Sequence, residues 1–166
     1  MTPLPGSLRT AFERVDLPFQ HPLTREELQQ RLVDPDVHVR IYARHLLNRL
    51  GGADRTPASY PYPILVWQFG RELTLIALGG EVVADYALRL KRQHGFDHTW
   101  VAGYSNEVMS YIPSRRVLDE GGYESDSSMI YYGRPSRYGA AVEEIIVEKV
   151  GELVRRTGAW QPEGPE

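Results

Sequence analysis

The sequence predicts an α/β fold: a partial mixed sheet with a βαβ-like unit and flanking helices, an N-terminal helical segment and a long Tyr/Gly-rich loop region. Three observations predict it. Two apolar runs rich in strand-forming residues, 64–69 and Leu73–Leu78, are separated by a Gly70-Arg71-Glu72 turn. Gly79-Gly80 follows the second run at once, then a helical pattern, then a further short apolar run, Thr99–Ala102. Residues 140–156 repeat apolar side chains at helical spacing.

Taken in order, residues 8–19 carry Phe12, Val15, Leu17 and Phe19, are broken by Pro18, and read as a short strand. Thr24-Arg25-Glu26-Glu27 has the form of a capping box, opening a short helix to about Val33. Asp34-Pro35 is expected to cap a second helix, with Pro where a missing N–H costs nothing. Its apolar stripe is Val39, Ala43, Leu46, Leu47 and Leu50, and Gly51-Gly52 stops it. The runs 64–69 and 73–78 form a hairpin whose second strand is expected to be buried on both faces. After Gly79-Gly80, a helix spans 82–94 and ends at Gly95; Thr99–Ala102 returns as a parallel strand. Residues 103–138 are rich in Gly, Ser, Tyr and charge, and long loops of this kind are often functional. The last helix places Val142, Ile145, Ile146, Val150, Leu153 and Val154 on one face and stops at Gly158.

At 166 residues, the length suits one domain: a helical segment 24–51, an α/β core 60–158 and a frayed tail 159–166. A net charge of -3 argues against a nucleic-acid partner held by bulk electrostatics. No cysteine is present, which excludes disulfides, thiolate metal sites and a cysteine nucleophile. No apolar run reaches the roughly 18–20 residues of a transmembrane segment. Residues 1–6 lack the basic and apolar regions of a signal peptide.

Glu81 is expected where a buried strand meets a helix N-terminus, near the sheet edge at which α/β folds place ligands. Two readings stay open for it, a favourable first-turn acid or a functional carboxylate. Gly103-Tyr104-Ser105-Asn106-Glu107 resembles a nucleophile elbow, but Glu107 replaces the second Gly, and no His follows His98 to complete a triad in the hydrolase order. Ser105 and Asn106 are therefore expected to shape a turn. His38 and His45 are seven apart, and Gly95 separates His94 from His98, so neither pair has ideal metal spacing. Tyr104, Tyr111, Tyr123, Tyr131, Tyr132 and Tyr138 form either an aromatic packing layer or a set of hydroxyls lining a cleft.

Leu78-Gly79-Gly80-Glu81, Ala102-Gly103-Tyr104-Ser105-Asn106, Tyr111-Ile112-Pro113, Gly122-Tyr123-Glu124 and Tyr132-Gly133 occur in an order and spacing that resembles the later part of the catalytic domain of neutral/alkaline ceramidases, in the bacterial ceramidase-like branch. Residues 24–50 also look like an insertion of that branch. The resemblance implies a zinc amidase that cleaves an N-acyl bond of a lipid-like amide. It implies Glu81 and Tyr111 as zinc ligands and Tyr123 as a catalytic hydrogen-bonding group beside the scissile carbonyl. It further implies two His ligands and a serine for which no matching segment is found here. The expectation is the C-terminal part of a larger catalytic domain, inactive alone, whose partner is a complementing N-terminal half. The competing expectation is a non-enzymatic interaction module that pairs through its sheet edge, with itself or another chain.

Overall fold

A computed structural model describes residue 4 and residues 6–158. The predicted tail, 159–166, lies outside the described residues. Four strands form the main sheet: β1 (Leu8–Pro18), β2 (Ser59–Phe69), β3 (Leu73–Leu78) and β5 (Thr99–Ala102). The order is β1-β2-β3-β5, antiparallel except for the β3–β5 pair. Between β3 and β5 the chain makes a two-residue strand β4 (Glu81–Val82) and helix α3 (Ala84–His94). This is the expected βαβ-like unit, with β3 and β5 adjacent and parallel. A second, small parallel sheet joins β4 to β6 (Tyr111–Ile112).

The α/β core reaches further upstream than residue 60. β1 pairs with β2 along its whole length, from Leu8 opposite Phe69 to Pro18 opposite Ser59. The helical segment is thus a detour between two neighbouring strands. It holds α1 (Arg25–Gln30), a 3-10 turn (Arg31–Val33) and α2 (Val37–Leu50). The capping box forms as the sequence predicts: the Thr24 side chain accepts from the Glu27 N–H, and the Glu27 carboxylate accepts from the Thr24 N–H. The cap of α2 is Asp36, not Asp34-Pro35. The Asp34 carboxylate accepts from the Asp36 N–H and holds the turn before the helix. Leu23, Leu28, Tyr42, Leu46 and Leu50 make a small core of their own.

The main core lies on one face of the sheet. Leu17, Tyr62, Ile64, Val66, Ile76 and Leu78 point to that face and meet α3 and α5 (Val142–Thr157). β3 alternates between fully and partly buried positions, so it is not buried equally on both faces. Among the described residues, the other face has no helix layer to match α3 and α5. The Tyr/Gly-rich region is more regular than its composition suggests. It contains β6, a short helix α4 (Arg115–Glu120) capped by Ser114, and a 3-10 turn (Ser127–Ile130). No helix among the described residues is long and apolar enough to cross a membrane.

Candidate functional site

Glu81 does not begin a helix. The first residue of α3 is Ala84, and the residue before it, Val83, offers no side-chain cap. Glu81 lies instead on β4, and its register partner in the parallel strand β6 is Tyr111. Parallel strands lie about 4.8 Å apart and aligned residues share a face, so the carboxylate and the phenol start as neighbours. The backbone fixes this pairing tightly. The Glu81 N–H donates to the Ser110 carbonyl at 2.9 Å, and the Gly80 N–H donates to the Glu107 carbonyl at 2.7 Å. Gly80 has φ +72°, and a Cβ there would lie 2.7 Å from the Ser110 carbonyl oxygen. Only glycine fits that position without moving the backbone.

Four tyrosines gather at Glu81. The Tyr104 hydroxyl donates to Oε2 at 2.7 Å and the Tyr132 hydroxyl donates to Oε1, while Tyr111, the register partner on β6, brings its phenol beside the carboxylate. The Tyr123 ring packs edge-on against Tyr111 with centroids 5.7 Å apart. Tyr132 meets Tyr111 in the same manner at 6.3 Å. The three residues singled out by the resemblance, Glu81, Tyr111 and Tyr123, are therefore in one cluster. Tyr123 is the more remote, touching Tyr111 through its ring. Tyr104 is held at φ 55°, a left-handed conformation costly for a bulky residue, with its N–H bonded to the Gly80 carbonyl at 2.8 Å.

The electrostatics follow from these donors. The bond from Tyr132, then that from Tyr104, holds the Glu81 carboxyl below the usual Glu range; partial burial opposes them, and Tyr111 adds to the lowering. The Glu81 carboxylate in turn pushes the Tyr104 and Tyr111 phenols up. Tyr132 is raised as well, by burial first and by Glu81 second. The helix dipole plays no visible part, because α3 starts three residues later. The cleft in front of Glu81 has a volume of about 380 Å³ and includes Tyr104, Tyr111, Asp85, Arg116 and Glu120. Arg116 is committed to Asp85 and Glu120. Among the described residues, the recorded ion pairs leave out Glu81, whose partners are phenols.

The roles of Tyr104 and Tyr132 are what the sequence did not show. Both stand in the motifs that carry the ceramidase resemblance, yet they are 23 and 51 residues from Glu81. A second carboxylate centre also escaped the sequence. Glu107 accepts from Arg14 at 2.8 Å and from Tyr60 at 2.7 Å. Burial pushes its pKa up, but the Tyr60 and Arg14 bonds outweigh this and the net shift is downward. Ser105 shapes the turn as expected, its hydroxyl donating to the Ala102 and Gly103 carbonyls at 3.3 and 3.2 Å.

The zinc implied by the resemblance can be tested against the donor atoms. A catalytic zinc site takes about three protein ligands of N, O or S type and keeps one open position. Glu81 supplies an ionised carboxylate without a competing cation, and Tyr111 supplies a phenol oxygen beside it. None of the five histidines lines the cleft, and no three His, Cys, Asp or Glu among the described residues could hold a metal together. Two candidate ligands, Glu81 and Tyr111, fall short of the three that such a site takes. No protein-family model, curated protein or solved structure matches this chain.

Proposed function

We propose that this chain carries the Glu–Tyr half of a zinc-dependent, ceramidase-like amidohydrolase site, and that a second polypeptide segment brings the imidazole ligands and the serine. The observation that supports this reading is the register pairing of Glu81 with Tyr111, with Tyr123 packed on Tyr111. An aromatic packing layer alone would send the hydroxyls to scattered partners; here two of them donate to one carboxylate and a third, that of Tyr111, belongs to its register partner. Glu81 and Tyr111 would hold the zinc, whose chemistry is to polarise an amide carbonyl and lower the pKa of a bound water. Tyr123 would donate a hydrogen bond to the carbonyl oxygen as negative charge grows there. Tyr104 and Tyr132 keep Glu81 ionised and oriented. In the overall reaction, water adds to the acyl carbon, the C–N bond breaks, the amine leaves with a proton, and a fatty acid remains. A lipid-like N-acyl amide is the substrate class.

A competing reading is a non-enzymatic subunit that pairs through its sheet edge. It is favoured by β1, an 11-residue strand at the edge of the sheet. Zinc titration against a chromophoric chelator separates the two. The chain alone should bind zinc weakly. Adding the His-bearing half of a ceramidase relative should tighten binding by more than about tenfold, and Glu81→Ala should remove the gain. Tight stoichiometric zinc on the isolated chain, unchanged in Glu81→Ala, would overturn the amidase reading.

A further inference from the structure

We propose that the outer face of the four-stranded sheet is a self-docking surface, which pairs with the same face of a second copy of this chain. The proposal is independent of the Glu81 site. It rests on the register of the sheet. Thr10, Trp67, Leu75 and Trp100 are aligned across all four strands and form one row on the face away from α3 and α5. The rows on either side are also uncharged: Leu8–Phe69–Leu73, and Phe12–Leu65–Ala77–Ala102. The first charged outer position, Arg14, lies beyond these rows and is already bonded to Glu107. A sheet with one solvated face ordinarily alternates apolar-in with polar-out. Here the outward positions are as apolar as the inward ones.

The exposure is substantial. Leu8 is 54% exposed, Phe12 52%, Trp67 39% and Trp100 60%. With full areas of about 150–250 Å² for each aromatic, these and their half-buried neighbours present roughly 600 Å² of apolar surface. That is the upper limit for the largest patch on an ordinary monomer, about 300–600 Å². Two copies face to face would remove about 1,200 Å², the lower limit of the range for stable complexes. The area therefore suits a reversible dimer.

A second copy is the occupant that the face itself specifies. A two-fold contact requires a surface complementary to itself. A flat, uncharged sheet face meets that requirement, because sheets stack about 10 Å apart at about 30° with side chains interleaved, and no like charges are brought together. The tryptophans sit in the middle row, where an interface concentrates its binding energy.

The test is sedimentation equilibrium of the full chain over a concentration series, beside tryptophan emission in a Trp160→Phe background. The expected mass rises with concentration from 18.9 kDa to twice that value, and emission shifts to the blue in step. Trp67→Glu and, separately, Trp100→Glu should weaken association at least tenfold while keeping the helical circular dichroism. Leu88→Glu, at an exposed position on α3, should leave association unchanged. A dimer insensitive to both tryptophan variants would overturn the proposal in favour of pairing along the β1 edge. A monomer with solvent-exposed emission would overturn it in favour of a different polypeptide, and a monomer with buried emission in favour of residues 159–166 as the cover. Open-ended aggregates would overturn it too, since a two-fold face closes on itself.

Discussion

Two phenols donate to the Glu81 carboxylate, Tyr104 from the turn after β5 and Tyr132 from just beyond the 3-10 turn at 127–130, and a third, Tyr111 on β6, lies beside it. Hydrogen bonds to the charged form favour it, which is why the Glu81 carboxyl is lowered although burial pushes the other way. The sign of the pH effect follows. The stability Glu81 contributes is present above the ordinary Glu range near pH 4.5 and is lost as pH falls through its lower folded value. Tyr132→Phe should move the Glu81 carboxyl titration, followed by carbon-13 NMR, upward toward that range. The same variant should cost about 1 kcal/mol at neutral pH, at the small end for a bond to a charged group because solvent reaches the carboxylate. An unmoved titration would show that Tyr104 and Tyr111 suffice. Glu81 itself was legible as a notable residue, since a carboxylate after Gly-Gly at the end of an apolar run is unusual. Its partners were not, because side chains 23 and 51 residues distant meet it only after the chain has folded.

Among the elements, β4 and β6 decide the site although each has two residues. Strands that short leave no periodicity in a sequence, and Glu81-Val82-Val83 continues smoothly into the apolar pattern of the following helix. That is why a helix start at 82 is the natural reading, and why the structure moves it to Ala84. The pairing with β6 satisfies the Glu81 and Val83 N–H groups through the Ser110 and Ile112 carbonyls, which a helix start would have left unpaired. Gly80 is the joint of this arrangement. Gly80→Ala adds a Cβ into the Ser110 carbonyl at a positive φ. It should cost about 3 kcal/mol or more in urea unfolding, and the Tyr111 ring should lose its contact with Tyr123. Long elements behaved differently. The Thr24–Glu27 box, the stop of α2 at Gly51 and the stripe of α5 were all readable, because each is a local pattern with a local cause.

At the scale of the whole molecule, the helical segment and the sheet carry separate apolar clusters, and hydrogen bonds tie α2 to the Tyr/Gly-rich region. The Tyr42 hydroxyl is one such tie, donating to the Arg134 and Pro135 carbonyls at 2.6 and 3.0 Å. Tyr42→Phe would leave those carbonyls unsatisfied and should cost about 1–3 kcal/mol. Amide exchange in α2 should quicken by more than in β2 or α5, since the loss falls on the joint and not on the main core. Equal quickening throughout would mean that the two clusters unfold as one. By itself, the sequence determined the fold class, the β2–β3 hairpin, the parallel return at β5 and the terminal helix, because hydrophobic periodicity and turn residues act within about a dozen positions. Only the tertiary structure decided three things: that β1 closes onto β2 around the helical segment, that four tyrosines from distant parts of the chain gather around Glu81, and that one face of the sheet is apolar and, among the described residues, has no layer over it. Each depends on contacts between residues far apart in the chain, whose partners no local pattern names.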